Sequence, residues 1–152
     1  MEKDTDSRQG LLAREDCLIV IIDMQERLLP VIAEKEKILQ NILRLLRFAD
    51  VVGIPVVITE QEKLGSTVAE AREAKQGLTP IHKVHFNCFS ASEFAHTVIA
   101  TGRKTLILAG VEAHICVAQT AVFAARSYGV HVVADAVGSR NPENATLALA
   151  RM

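Results

Sequence analysis

Four apolar runs limit the folds open to this chain more than any other feature. They are "CLIVIID" (17–23), "IPVVIT" (54–59), "TLILAGV" (105–111) and "VHVVADAV" (130–137). Each is rich in β-branched residues and leucine, and none alternates strictly between apolar and polar. A strand with one wet face must alternate. A strand covered on both faces need not, and such strands belong to parallel sheets. A weaker strand is expected near "PIHKVH" (80–85).

The segments between the runs carry helical spacing. In 34–53, Ile38, Ile42, Leu45, Leu46, Ala49 and Val52 form one apolar stripe, and Gly53 follows as a C-terminal cap. Residues 92–102 repeat the form, with Ser90 or Ser92 at the start and Gly102 at the stop. Residues 113–129 do so again and are expected to end at Gly129. In 141–152, Asn141 stands as N-cap and Pro142 at the first helical position. Strand and helix in alternation predict a doubly wound, mostly parallel, Rossmann-like α/β sheet with right-handed crossovers. One domain is expected over 1–152, with 1–15 as a polar lead. The last helix stops without a cap, and a further C-terminal strand is expected to be missing after it.

The 152 residues are 49% hydrophobic, enough for a sizeable core. A formal net charge of −1 and scattered basic residues give no case for nucleic acid or an anionic membrane surface. No apolar run reaches the length of a membrane span. Cys17, Cys88 and Cys116 are odd in number and widely spaced, so neither a disulfide framework nor a zinc motif is indicated. A reducing cytoplasm is the expected location. Apolar strands and helices leave little polar surface for a monomer of this size, so a homo-oligomer is expected.

In an open α/β sheet ligands bind beyond the carboxyl ends of the strands. Three reactive groups fall there. Asp23 ends the first run, where a poorly solvated carboxylate can serve as a base; it could equally cap a short helix over "MQERLLP". Lys83 lies in the mostly apolar "HKVHF", although a lone lysine is ordinarily solvated. Cys116 sits where the third run gives way to a helix, and a helix N-terminus lowers a thiol pKa and favours nucleophilic attack. A buried structural cysteine is the alternative.

The blocks "LIVIIDMQERLLP", "TEQEKLGST", "HKVHFNCFS" and "LILAGVEAHICVAQTAVFAARSYGVHVVADAVGSR" occur in that order, and together they resemble the isochorismatase-like cysteine hydrolase family. The most specific block is G-V-E-A-H-I-C-V, from Gly110 to Val117. The resemblance implies a three-layer α/β/α sandwich and a catalytic Asp23–Lys83–Cys116 triad. In that triad Cys116 would attack a carbonyl carbon, Asp23 would carry the proton and Lys83 would hold the two in register. It also implies a cis peptide between Val111 and Glu112, which would turn backbone N–H groups of Ile115–Cys116 toward a developing oxyanion.

Departures from the family refine the expectation. The eponymous isochorismatases cleave a vinyl ether and lack this cysteine, so its presence implies hydrolysis of a small amide or carbamoyl C–N bond through a thioester. Nicotinamidases hold a metal with an Asp-x-His and a second His, whereas "TEQEKLGST" contains no histidine. No metal and no cofactor are expected. Glu60, Gln61 and His114 are candidate pocket residues. His82 and His85 have an i, i+3 spacing that suits a metal only on a helix, and their segment reads as strand and loop.

Two other enzyme classes lack a residue they need here. A haloacid-dehalogenase-type phosphotransferase wants a second Asp two residues after the first, where Gln25 stands. A dinucleotide oxidoreductase wants a glycine-rich first turn. A binding or scaffold protein of the same fold, or a hydrolase of another small-metabolite bond, stays open.

Overall fold

The computed structural model describes residues 11–152. Five strands form one parallel sheet: β1 (Cys17–Ile22), β2 (Val56–Gln61), β3 (Ile81–Lys83), β4 (Thr105–Val111) and β5 (Gly129–Gly138). Five helices accompany them: α1 (Lys35–Val52), α2 (Ala69–Ala74), α3 (Ser92–Thr101), α4 (Ala118–Ala124) and α5 (Pro142–Arg151). The strand order is β3-β2-β1-β4-β5. The chain therefore winds outward from β1 to one edge, then returns past it to the other. Most of the polar lead expected over 1–15 lies outside the described residues; Arg14–Asp16 form a short 3₁₀ turn immediately before β1.

The uninterrupted apolar runs have the cause expected of them. Every residue of β1 is buried. Cys17, Ile19 and Ile21 face a cluster with Ile38, Ile42, Leu46 and Ala49 of α1 and Ala71 of α2. Leu18, Val20 and Ile22 face the opposite cluster with Phe94 and Val98 of α3, Ala121 and Ala124 of α4 and Ala148 of α5. A strand whose alternate side chains enter two different cores has no wet face, hence no polar alternation. The result is the α/β/α sandwich. Burying each large aliphatic side chain of these cores contributes about 1.5–3 kcal/mol.

Three elements differ from the sequence expectation. The run over 130–137 was expected to be buried on both faces, yet only Ala136, Val137 and Gly138 of β5 are buried. β5 is an edge strand, paired to β4 alone among the described residues. The helix expected over 113–129 divides into a widened π turn at Ala113–Val117 and α4, which stops at Ala124. Gly129, expected to end that helix, opens β5 instead. Helix α2 lay in "AEAREA", six strong helix formers too short to show a periodic stripe. Two starts also differ: Ala91, not a serine, flanks α3 and gives no side-chain cap. No α-helix follows Asp23, only a turn and a 3₁₀ stretch at Leu29–Val31. The ends of α1 and α5 match expectation. Gly53 takes the left-handed conformation (φ 73°) after α1, and the Asn141 side chain accepts from the Glu143 N–H at 2.9 Å.

Candidate active site

The strand order reverses between β1 and β4, and at such a switch point an open α/β sheet offers a crevice beyond its carboxyl ends. Asp23 leaves β1 with φ 52°, a left-handed conformation uncommon outside glycine but tolerated by Asp. That turn takes the side chain off the sheet into the crevice. One carboxylate oxygen, Oδ1, accepts from the Thr59 hydroxyl at 2.8 Å. The other, Oδ2, accepts from Lys83 Nζ at 2.9 Å. Both oxygens are thus engaged by neighbouring strands, and the carboxylate is no helix cap.

Lys83 is not a solvated lysine. Its side chain is 1% exposed and that of Asp23 is 0% exposed, so they form a buried ion pair. Nζ also lies 2.6 Å from Gln61 Oε1, 3.2 Å from the His85 carbonyl and 3.4 Å from Cys116 Sγ. Burial by itself would lower the Lys83 pKa. The Asp23 carboxylate, aided by the Cys88 and Cys116 sulfurs, outweighs it and holds the pKa above the ordinary value, so the ammonium stays charged.

Cys116 lies in the π turn, 5% exposed. Here the structure corrects the sequence expectation. The turn's position was expected to lower the thiol pKa, but burial and then the Asp23 charge push it well above its ordinary value, with Lys83 pulling the other way. At rest the group is a neutral thiol beside a carboxylate. Cys88, fully buried, is pushed up to about 11, mainly by burial and against the pull of Lys83.

The turn is tied to its surroundings. The Val111–Glu112 peptide is cis. Glu112 Oε1 accepts from the Arg140 backbone N–H at 3.1 Å, and Oε2 lies 3.4 Å from the Arg140 guanidinium. His114 Nδ1 is 2.7 Å from the Ser139 hydroxyl. The Ile115 N–H donates to the Glu112 carbonyl at 3.1 Å. It is occupied within the turn, which disagrees with its expected service as an oxyanion donor. Arg140 and Ser139 both brace this turn.

A cavity of about 740 Å³ opens beside Lys83, between the ends of β2 and β3 and the start of α3. Glu60 and Gln61 are on its wall, but Cys116 is not. Glu60 is turned inward, accepting from the Thr67 N–H at 2.7 Å and hydroxyl at 2.9 Å. His114 borders a separate depression of about 340 Å³ with Asn87 and Phe123. The three candidate pocket residues therefore do not share one pocket. Among the described residues no three His, Cys, Asp or Glu side chains gather as a metal site, and no helix is long and apolar enough to cross a membrane. Sequence reasoning passed over Thr59 and Gln25. Thr59 is a buried hydroxyl within β2, and Gln25 is a fully buried amide two residues after Asp23.

Fold and site together define a class: a doubly wound α/β protein with a buried carboxylate, ammonium and thiol at its topological switch point. Residues 17–152 match the model of the isochorismatase domain. The chain belongs to the isochorismatase family and has the family's hydrolase fold. It is 34% identical over 146 residues to isochorismatase domain-containing protein 2 of Danio rerio, covering 94% of this chain and 73% of that protein. It is 36% identical to isochorismatase domain-containing protein 1 of Danio rerio, covering 94% of this chain but 51% of that protein. The chain thus spans about half to three quarters of the length of these relatives. Among solved structures it resembles the YcaC gene product of Escherichia coli, described as an octameric hydrolase of unknown specificity. That match has 30% identity and a TM-score of 0.86, over 93% of this chain and 72% of the other. YcaC from Pseudomonas aeruginosa, solved with hexane-2,5-diol and covalent acrylamide, gives 29% identity and a TM-score of 0.87 over 94% of this chain and 74% of that one.

Proposed function

We propose that the protein is a cysteine hydrolase that cleaves the C–N bond of a small amide or carbamoyl compound through a thioester. The observation that carries this is the position of Lys83 Nζ, 2.9 Å from the Asp23 carboxylate and 3.4 Å from the Cys116 sulfur. Cys116 Sγ attacks the carbonyl carbon and its proton passes to Asp23. The proton then goes to the leaving nitrogen, the C–N bond breaks and an amine or ammonia departs. Water, deprotonated by Asp23, attacks the thioester. The S–C bond breaks, the acid is released and the thiol regains the proton. Lys83 stabilises the sulfur's negative charge whenever it forms. The raised thiol pKa suits this sequence, because a neutral thiol must surrender its proton to a base at the moment of attack. With the Ile115 N–H occupied, the oxyanion falls to the Cys116 N–H at the turn.

Support also comes from the acrylamide bound covalently in the Pseudomonas aeruginosa structure, a small amide-bearing electrophile. Three free, buried cysteines suit a reducing cytoplasm. The chain assembles with copies of itself. Phe48 and Val51 on α1, Ile99 on α3 and Leu147 on α5 are each more than half exposed, more apolar surface than a monomer gains by showing. The Escherichia coli relative is an octamer. The test is turnover of a panel of small amides and ureido compounds, with Cys116→Ala as blank, and mass spectrometry of the enzyme during turnover. An acyl adduct on Cys116 is expected. Equal turnover by Cys116→Ala would overturn the proposal.

A further inference from the structure

Gln25 is fully buried, and its amide is spent on one short loop. Its Oε1 accepts from the Gln61 N–H at 2.8 Å, and its Nε2 donates to the carbonyls of Gln61 at 2.9 Å and Gly65 at 2.8 Å. The backbone N–H and carbonyl of Gln61 are therefore both gripped by one side chain. The Gln61 side chain then spans two strands. Its Nε2 donates to the Val84 carbonyl at 3.0 Å, and its Oε1 accepts from Lys83 Nζ at 2.6 Å.

An ammonium has three protons to place. Asp23 takes one and Gln61 takes another. The third has the His85 carbonyl at 3.2 Å and Cys116 Sγ at 3.4 Å within reach. Four acceptors thus surround three protons, and the Gln61 contact, the shortest, fixes how the ammonium is turned; without it Nζ can settle toward Asp23 and the His85 carbonyl, away from the sulfur.

We propose that Gln61, itself locked by Gln25, is a positioning residue that aims the third proton of Lys83 at the Cys116 sulfur. This rests on the Asp23–Lys83–Cys116 reading above and deepens it. It makes Gln25 part of the same device, two residues after the proposed base and with no contact to the thiol of its own. It also gives Gln61, on the cavity wall, a role toward the ammonium beyond that of the pocket residue the sequence suggested. The charged groups facing the thiol are Asp23 and Lys83; Glu112 and His114 of its own turn are committed to Arg140 and Ser139.

The test reads the thiol directly and needs no substrate. Alkylation of Cys116 by iodoacetamide, followed by peptide mapping between about pH 6 and 10, reports the fraction and reactivity of thiolate. Gln61→Met keeps the length of the half-buried side chain and removes the acceptor. It is expected to slow alkylation about tenfold near neutral pH, and to displace the profile to higher pH, because a less well aimed ammonium stabilises thiolate less. In a Lys83→Met background the same change is expected to have no further effect. Gln25→Glu, which still accepts from the Gln61 N–H but cannot donate to both carbonyls, should displace the profile in the same direction.

A wild-type profile for Gln61→Met would overturn the inference, as would an undiminished effect without Lys83. A Gln25→Glu variant that loses thermal stability but keeps the profile would remove Gln25 from the device. Should wild-type protein turn over no amide while Gln61→Met displaces the profile, the hydrolase proposal fails and the positioning role stands. Turnover that needs Cys116, with a profile indifferent to Gln61, gives the reverse.

Discussion

The Asp23–Lys83 pair shows how a charge that looks ordinary in sequence becomes extraordinary through burial. Removing one partner strands the other in a medium that solvates it poorly, at a cost of about 3–5 kcal/mol. Lys83→Met is therefore expected to destabilise the protein by that order, and Asp23→Asn combined with Lys83→Met to recover part of it. A urea-melt double-mutant cycle measures the coupling. Thiol protonation adds a pH dependence. The pKa values of Cys17, Cys88 and Cys116 are all raised from 9.0, chiefly by burial, so the native state keeps protons that the unfolded chain releases. Their contribution is whole below about pH 9 and is lost as pH climbs through the folded values. For Cys88, with a folded value of about 11, the loss amounts to roughly 2–3 kcal/mol by pH 11. Denaturant melts across this range should show stability falling above pH 9, and falling less steeply in Cys88→Ala once its lower starting stability is subtracted.

At the scale of elements, the approach of β4 to β1 places the site. Gly110 pairs with Ile22 in the ladder and has φ 119°. A Cβ there would lie 2.0 Å from the Ile22 carbonyl oxygen. The obstacle is backbone, one residue before Asp23, and cannot rotate aside. Gly110→Ala is expected to cost more than about 2 kcal/mol and to reduce Cys116 alkylation with it. A variant that melts like wild type would show that the two strands can part without loss. By contrast, the nearest obstacle at Gly138 is the flexible tip of Ile38, 2.3 Å from its would-be Cβ. The same glycine-to-alanine change there should be milder. Helix α5 depends on its first turn, and Asn141→Ala should cost about 1 kcal/mol by thermal melt.

For the whole molecule, the prediction is assembly. Light scattering at micromolar concentration should give a mass above 16.6 kDa for this chain, and a monomeric mass would argue that the exposed apolar residues serve something else. Metal independence also belongs at this scale, since it depends on what the fold brings together. Activity on whichever amide is turned over should survive a strong chelator. Loss on chelation with recovery on adding zinc would place a metal in the mechanism.

The sequence by itself determined the sheet. Runs such as 17–23 and 105–111 are apolar on alternate and intervening positions alike, and only a strand between two cores tolerates that. It also carried the ends of α1 and α5, because Gly53 and Asn141 act through their own backbone neighbourhood. The blocks around Asp23, Lys83 and Cys116 marked three strand ends, and the resemblance tied them together. Only the tertiary structure decided what those groups experience. Asp23, Lys83 and Cys116 stand 60 and 33 residues apart along the chain, so their distances are set by strand order and register, not by spacing. The direction of the Cys116 pKa was misjudged from local helix geometry. What opposes it, burial and then the Asp23 charge, comes from elements remote in sequence. Gln25 and Gln61 were illegible as a device for the same reason: each hydrogen bond their side chains make joins segments 22 to 40 residues apart. Local propensity acts over a few residues, whereas a buried charge answers to everything folded around it.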